Sequence, residues 1–140
     1  DTFPDVSLCT ILDPIEVAAA PFSAAIVNID GNSLPQSPKW IANVTARYEV
    51  PVGDGEIYFF TDWAYRSKIN FFLYESVEFQ DKRMLEGGVR VGYKRDNYEI
   101  AGFVRNITKD VSAVSGIDFN NLTAMVNEPR IWGVEASVSF

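Results

Sequence analysis

Apolar and polar side chains alternate along residues 131–140. The even positions carry the apolar side chains of Trp132, Val134, Ala136, Val138 and Phe140. The odd positions after Ile131 carry glycine, glutamate or serine. Because successive side chains of a β-strand point to opposite faces, this pattern predicts a strand with one wholly apolar face and one small or polar face.

The same alternation recurs in four upstream segments. The predicted strands lie near 38–50, 56–67, 84–94, 97–107 and 130–140. We expect one common apolar side, formed by Trp40, Val44, Tyr48, Phe59, Trp63, Leu85, Val89, Val91, Trp132, Val134 and Val138. We expect charged residues on the other side, namely Arg47, Asp62, Arg66, Arg90 and Glu135. Each strand should pair antiparallel with its sequence neighbour, because short joints permit only hairpins.

The connections between these strands alternate in length. The joints around 51–55 and 95–97 are short and rich in turn-forming residues, whereas those at 67–83 and 108–129 are long. Transmembrane β-barrels combine short periplasmic turns with long extracellular loops. A strand of about ten residues tilted near 45° rises about 23 Å, which is close to the height of their apolar band. The pattern favours an all-β fold: an antiparallel up-and-down transmembrane β-barrel segment of about five strands.

Composition and charge exclude several kinds of site. Hydrophobic residues make up 47% of the chain, but they are dispersed, and no run approaches the ~20 apolar residues of a transmembrane helix. The net charge of −7 argues against nucleic acid as a partner, because nothing would neutralise its phosphates. The chain has no histidine, and Cys9 is its one cysteine. A zinc site, a disulfide within the chain and a Cys–His nucleophile pair are therefore not expected.

Four short motifs follow one another along the chain. They are LPQSPKW at 34–40, YRS at 65–67, RNITKD at 105–110, and EPRIWGV at 128–134 followed by Phe140. In order and spacing they resemble the LPxxPKW, YRS, KNLTD and EPRxxGVxxxxxF motifs of TonB-dependent outer-membrane receptors. Ile107 stands where that family usually has leucine, and 111–126 resembles no part of it. The last strand resembles the C-terminal assembly signal of outer-membrane β-barrels, carried here by Trp132, Val134, Ala136, Val138 and Phe140.

This resemblance implies a fold, a function and partners. TonB-dependent receptors are 22-stranded barrels with an N-terminal plug. Residues 38–140 would be C-terminal strands of such a barrel, and 1–37 an extracellular loop with a short hairpin around 23–29. The chain would be a fragment of an active transporter in the outer membrane of a Gram-negative bacterium. Its partners would be outer-membrane lipid, the barrel assembly machinery, a nutrient such as a ferric siderophore and, through the missing plug, the TonB complex. No enzymatic activity, cofactor or metal is implied.

Six charged residues on the polar side are candidates for contact with substrate or plug. They are Arg47, Asp62, Arg66, Arg90, Arg105 and Glu135, and Glu99 faces the same way. A solvated polar wall, with charges paired across neighbouring strands, is the simpler interpretation of any one of them.

Other residues also allow two interpretations. The aromatics of the first long connection would either grip a ligand or pack as a girdle or loop core; they are Phe71, Phe72, Tyr74 and Phe79. Asp110 and Asp118 lie near two asparagines and offer calcium ligands, but their spacing matches no EF-hand, and a solvated loop is simpler. Cys9 is most simply an unpaired loop residue.

Two other functions stay open. A soluble lipocalin-like module that binds a ligand would also use up-and-down antiparallel strands. Its apolar side chains would point inward, however, and it needs eight strands. A small, non-transporting outer-membrane barrel also needs eight strands, and the LPxxPKW and EPRxxGV motifs argue against it. Within the transporter hypothesis, the sequence does not choose among iron chelates, cobalamin and carbohydrate.

Overall fold

A computed structural model describes residues 11–17, 25–118 and 122–140. These residues form eleven β-strands and no helix, and every strand pair is antiparallel. Within these ranges, therefore, nothing helical is long and apolar enough to cross a membrane. The all-β, antiparallel class that the alternation predicts is confirmed.

Five long strands form one sheet, and three pairs of short strands lie outside it. In chain order the strands are β1 (Ile15–Val17), β2 (Ala25–Val27), β3 (Ile41–Val52), β4 (Gly55–Arg66), β5 (Ile69–Asn70), β6 (Gln80–Asp81), β7 (Met84–Arg95), β8 (Tyr98–Arg105), β9 (Ala113–Asp118), β10 (Leu122–Val126) and β11 (Ile131–Val138). The order across the sheet is β3-β4-β7-β8-β11. The five predicted strands and their neighbour pairing are confirmed.

The two long connections contain hairpins of their own. β5 pairs with β6, and β9 pairs with β10. From the sequence we expected only long loops here, and 111–126 carried no recognisable pattern. The physical reason for the pairing is that backbone donors and acceptors in a long connection must find partners, and a local hairpin supplies them.

The register places matching side chains on one face of the sheet. Val44 lies opposite Trp63, and Trp132 lies opposite Val104. The register across all five strands gives one face that carries Val44, Tyr48, Phe59, Trp63, Leu85, Val89, Val91, Trp132, Val134 and Val138. We call it the apolar face. The opposite, polar face carries Arg47, Asp62, Arg66, Arg90 and Glu135. The predicted facing is confirmed for these strand residues, whereas Trp40 lies just before β3.

The apolar face is exposed. Trp132 and Val134 are 77% and 75% exposed, and Val44 is 62% exposed. The large side chain that is most buried in the sheet, Tyr58, is 2% exposed and lies on the polar face. An ordinary antiparallel sheet in water packs its apolar face on a core, whereas here the apolar face is exposed, and much of the polar face is exposed as well.

The two rims of the sheet differ. At the turn rim, Gly53 and Asp54 connect β3 to β4, and Asp96 and Asn97 connect β7 to β8. Gly53 and Asp96 have positive φ angles of 60° and 46°, as tight hairpin turns require. The long connections all leave from the opposite rim, which we call the loop rim. The alternation of short and long connections predicted from the sequence is therefore present.

β11 ends at Val138, two residues before the end of the predicted strand. Beyond it, the amide of Ser139 donates to the carbonyl oxygen of Asn97 at 2.8 Å. The side-chain amide of Asn97 donates back to the carbonyl oxygen of Ser139 at 3.0 Å. The chain end is thereby tied to the β7–β8 turn, and Phe140 lies fully exposed at the turn rim.

Candidate functional site

A groove of about 320 Å³ lies on the polar face and crosses β4, β7, β8 and β11. Charged and aromatic side chains line it: Phe60, Asp62, Arg90, Phe103, Arg105 and Glu135. Alternation within the strands brings them together, because each lies at a polar-face position of its strand.

Arg90 is the centre of a hydrogen-bond network that joins four strands. Its Nε donates to the hydroxyl of Tyr58 at 2.7 Å. Its two terminal nitrogens donate to Glu99 at 2.9 Å and to Glu135 at 2.8 Å. The Tyr58 hydroxyl in turn donates to Glu99. One guanidinium thus links β4, β8 and β11 to its own strand β7, using the planar fork of donors that only arginine provides.

Glycines make room for the large side chains of this face. A Cβ placed on Gly92 would lie 2.6 Å from the ring of Tyr58. A Cβ on Gly133 would lie 2.9 Å from the ring of Phe103. These rings lie flat across the neighbouring strand, over backbone that carries no side chain. Tyr58 can therefore be buried on an otherwise polar surface and hold its hydroxyl at the guanidinium of Arg90.

The structure brings four of the six candidate contact residues together. Asp62, Arg90, Arg105 and Glu135 line the groove. Arg105 pairs with Glu128 at 2.9 Å, whereas Asp62 takes part in no ion pair among the described residues. The groove therefore combines paired charges with one free carboxylate.

The two remaining candidates are on the polar face but outside the groove. Arg47 lies over the ring of Tyr58, 4.6 Å from its centroid, and pairs with Glu49 at 2.6 Å. Arg66 donates to Asp81 at 3.1 Å and to the carbonyl oxygen of Ala113 at 2.9 Å. Its side chain is only 12% exposed, so it clamps the two long connections rather than facing a ligand.

Three groove and network residues were missed as candidates because they are aromatic. Tyr58, Phe60 and Phe103 fall at polar-side positions of the sequence pattern, where only charges were considered. The glycines of the adjacent strands indicate these aromatic positions, because a glycine inside a strand often marks a place where another group approaches the backbone closely.

Asn106 organises the loop rim and is 1% exposed. Its side-chain amide donates to the carbonyl oxygens of Asp110 at 2.9 Å and Glu128 at 2.8 Å. Its Oδ1 accepts from the amide of Asp110 at 3.0 Å. One asparagine thereby closes the turn after β8 and holds the segment that enters β11. The RNITKD and EPRIWGV motifs therefore meet through this side chain.

The other two motifs also meet at the loop rim. The amide of Ser67 donates to the carbonyl oxygen of Trp40 at 3.0 Å. The amide of Trp40 donates to the hydroxyl of Ser67 at 3.1 Å. LPQSPKW and YRS are thus joined at the open end of the β3–β4 hairpin, where the ladder would otherwise leave backbone groups unpaired.

Asp110 anchors the same rim with a charged side chain. Its carboxylate accepts from the amide of Leu85 at 2.8 Å and from the hydroxyl of Ser112 at 3.0 Å. The bond from the Leu85 amide is the main cause that holds the pKa of this carboxyl below its ordinary value of 3.8; Ser112 and Lys82 add to the effect.

The aromatics of the first long connection pack against one another. The rings of Phe72 and Phe79 lie 4.2 Å apart in an edge contact, and Phe72 stacks on Tyr74 at 5.8 Å. Phe71 and Phe79 are buried. This arrangement gives the loops a core of their own. Cys9 and the asparagines near Asp118 lie outside the described residues.

The residues of the expected assembly signal line the edge of the sheet. Trp132, Val134, Ala136 and Val138 share the apolar face of β11, which pairs with β8 alone among the described strands. Phe140 follows beyond the end of the strand.

Comparisons with known proteins give no relative. No family model, no curated protein and no solved structure matches this chain.

We expect the change Gly92→Ala to destabilise the sheet by about 1–3 kcal/mol, because the new methyl group would press on the buried ring of Tyr58. Gly102→Ala is the matched control, since the nearest atom to its Cβ is 4.0 Å away. The control should change the free energy of unfolding by no more than about 0.5 kcal/mol. Urea titration of the refolded protein measures both; equal effects would contradict the close approach at Gly92.

We expect the change Asp110→Asn to lower stability at neutral pH by about 1–3 kcal/mol, because it weakens a charge-assisted hydrogen bond at a largely buried site. The lowered pKa makes this contribution present above the ordinary value of 3.8 and lost as the pH falls through the folded-state value. The two proteins should therefore converge in acid. Urea titrations across that pH range check this, with Asp96→Asn in the exposed turn as a control; a gap independent of pH would refute it.

Proposed function

We propose that this chain forms part of the wall of an outer-membrane active transporter. The transporter imports a ferric siderophore or a similar scarce nutrient and is energised through TonB. The apolar face contacts outer-membrane lipid, and the polar face lines the lumen of a larger barrel. The observation that carries the proposal is the exposed apolar face that continues across the five-stranded sheet.

Lipid is a surrounding that suits such a face. Burying one large apolar side chain is worth about 1.5–3 kcal/mol relative to leaving it in water. The apolar face displays many of them at once, and an extended exposed apolar surface of this kind marks contact with a membrane or another protein. Its continuity over five neighbouring strands favours the acyl chains of a bilayer, which cover a surface evenly.

The dimensions of the sheet support the same proposal. β3, β4 and β7 contain 12 residues each. At a tilt near 45° such strands rise about 28 Å, enough for an apolar band of about 25 Å. Short turns at one rim and long connections at the other are the arrangement of outer-membrane barrels. The turn rim would then be periplasmic and the loop rim extracellular.

The polar face provides the chemistry that a transporter lumen needs. Its groove presents the free carboxylate of Asp62 beside the guanidiniums of Arg90 and Arg105 and two aromatic rings. These groups can exchange hydrogen bonds with a polar solute or with a plug that fills the lumen. The four motifs that resemble TonB-dependent receptors support the transporter over a small structural barrel.

A soluble lipocalin-like module agrees less well with these observations. Its apolar side chains would line an enclosed cavity and its polar side chains would meet water. Here Trp132 and Val134 are among the most exposed residues, whereas Tyr58 is buried on the polar face.

We expect Val44→Arg, made in the complete barrel to which this chain would belong, to destabilise that barrel in phospholipid vesicles by about 2–4 kcal/mol, the cost of a cation on the lipid face near mid-membrane. Thr45→Arg is the matched control. Thr45 is the next residue, points to the polar face and lies opposite Asp62, so arginine there should be tolerated. Urea titration of the vesicle-inserted proteins compares them. Equal tolerance of both changes would remove the basis of the membrane assignment.

Transport itself is tested in cells. Deletion of the gene that encodes this chain should abolish high-affinity uptake of one scarce nutrient, and loss of TonB should abolish the same uptake. Radiolabelled ferric siderophores, cobalamin and oligosaccharides identify which nutrient it is. Unchanged uptake of every such nutrient in the deletion strain would contradict the transporter and favour a structural barrel.

A further inference from the structure

The groove on the polar face holds one carboxylate without a charged partner. Asp62 lies opposite Gly88 in the register of β4 and β7. A Cβ placed on Gly88 would lie 2.5 Å from Oδ1 of Asp62, so the carboxylate lies across the bare backbone of β7, at the floor of the groove. Asp62 enters no ion pair within the described ranges.

Both guanidiniums of the groove are already bound by carboxylates. Arg90 donates to two of them, at 2.9 Å and 2.8 Å, and Arg105 pairs with a third at 2.9 Å. The groove and its ion-pair partners therefore hold four carboxylates against two guanidiniums; the carboxylates are those of Asp62, Glu99, Glu128 and Glu135. Because a cleft with a surplus of one charge concentrates ligands of the opposite charge, this balance favours a cation.

Aromatic rings form the apolar part of the same groove. Phe60 precedes Asp62 by two residues and lies on the same face of β4, and Phe103 lines the groove from β8. The faces of aromatic rings attract ammonium and guanidinium groups. The neighbouring Tyr58 already makes such a contact, since the guanidinium of Arg47 lies 4.6 Å from the centre of its ring.

These walls suit an organic cation better than a metal ion. Calcium takes six to eight oxygen ligands, and magnesium requires a nearly ideal octahedron of them. The neighbours of Asp62 in the groove are instead aromatic rings and guanidiniums. The volume of about 320 Å³ is near the lower end of the range for small-molecule sites. The groove therefore has the size and chemistry for a small organic group that carries a positive charge.

We propose that the groove binds the transported solute through an ammonium or guanidinium group of that solute. The cationic group donates hydrogen bonds to the carboxylate of Asp62, and Phe60 and Phe103 contact the apolar part beside it. This inference deepens the proposed function and rests on it, because it takes the polar face to line a lumen that the solute enters. It narrows the solute to organic cations and zwitterions.

The test is a calorimetric titration of the full-length protein that contains this chain, in neutral detergent micelles, with benzylguanidine as the probe. We expect saturable binding, and we expect Asp62→Asn to weaken it about tenfold or more, because a charge-assisted hydrogen bond is lost. Asp96→Asn is the matched control: it removes the same charge in the turn between β7 and β8 and should alter affinity less than about twofold. Phe60→Leu should weaken binding about two- to fivefold.

Three results would overturn the proposal. They are the absence of saturable binding, equal weakening by the two aspartate variants, and equally tight binding of phenylacetate, a probe of similar size with a negative charge. If the probe does not bind and Asp62→Asn lowers the stability of the full-length protein, a basic side chain of the plug occupies the groove instead of a solute. The comparison of Val44→Arg with Thr45→Arg tests the lipid-facing sheet separately, so the failure of one proposal is distinguishable from the failure of the other.

Discussion

The continuous antiparallel register from β3 to β11 is the constraint on which the rest of the structure depends. Side chains alternate with a period of two, so a slip of one residue in any pair would move a whole strand's apolar side chains to the other face. The aligned pairs, such as Val44 with Trp63 and Trp132 with Val104, keep the two faces distinct across five strands. Both the exposed apolar surface and the charged groove are consequences of this alignment.

Interactions across strands on the polar face reinforce that register. Arg90 reaches Tyr58, Glu99 and Glu135 only when the four strands involved are aligned as they are. Gly92 is required opposite Tyr58 for the same reason, since a side chain there would collide with the ring. Displacement of one partner would leave the hydroxyl of the buried Tyr58 without its hydrogen bonds, which is costly for a buried polar group.

At the loop rim, the backbone groups at the strand ends form hydrogen bonds with side chains rather than with a further β-ladder. Asn106 and Ser67 satisfy backbone groups where β8 and β4 end, and Asp110 accepts from the amide of Leu85 as β7 begins. These short polar side chains take the place of backbone hydrogen-bond partners. Their hydrogen bonds are a structural reason for the polar residues within the motifs. The aromatic side chains of the first long connection form a separate small core within the loops.

The sequence by itself determined the strands, their neighbour pairing and their facing, because alternation is a local property and the short joints permit only hairpins. It also determined that Asp62, Arg90, Arg105 and Glu135 share a face. Only the tertiary structure decided that these four line one groove, that Arg66 is withdrawn into the loops, and that Tyr58 is buried among charges. Each of these outcomes depends on residues from strands far apart in the chain, such as the pairing of Tyr58 with Gly92. The hairpins within the long connections are local, and they were missed because their strands of two to six residues carry too little alternation to be recognised.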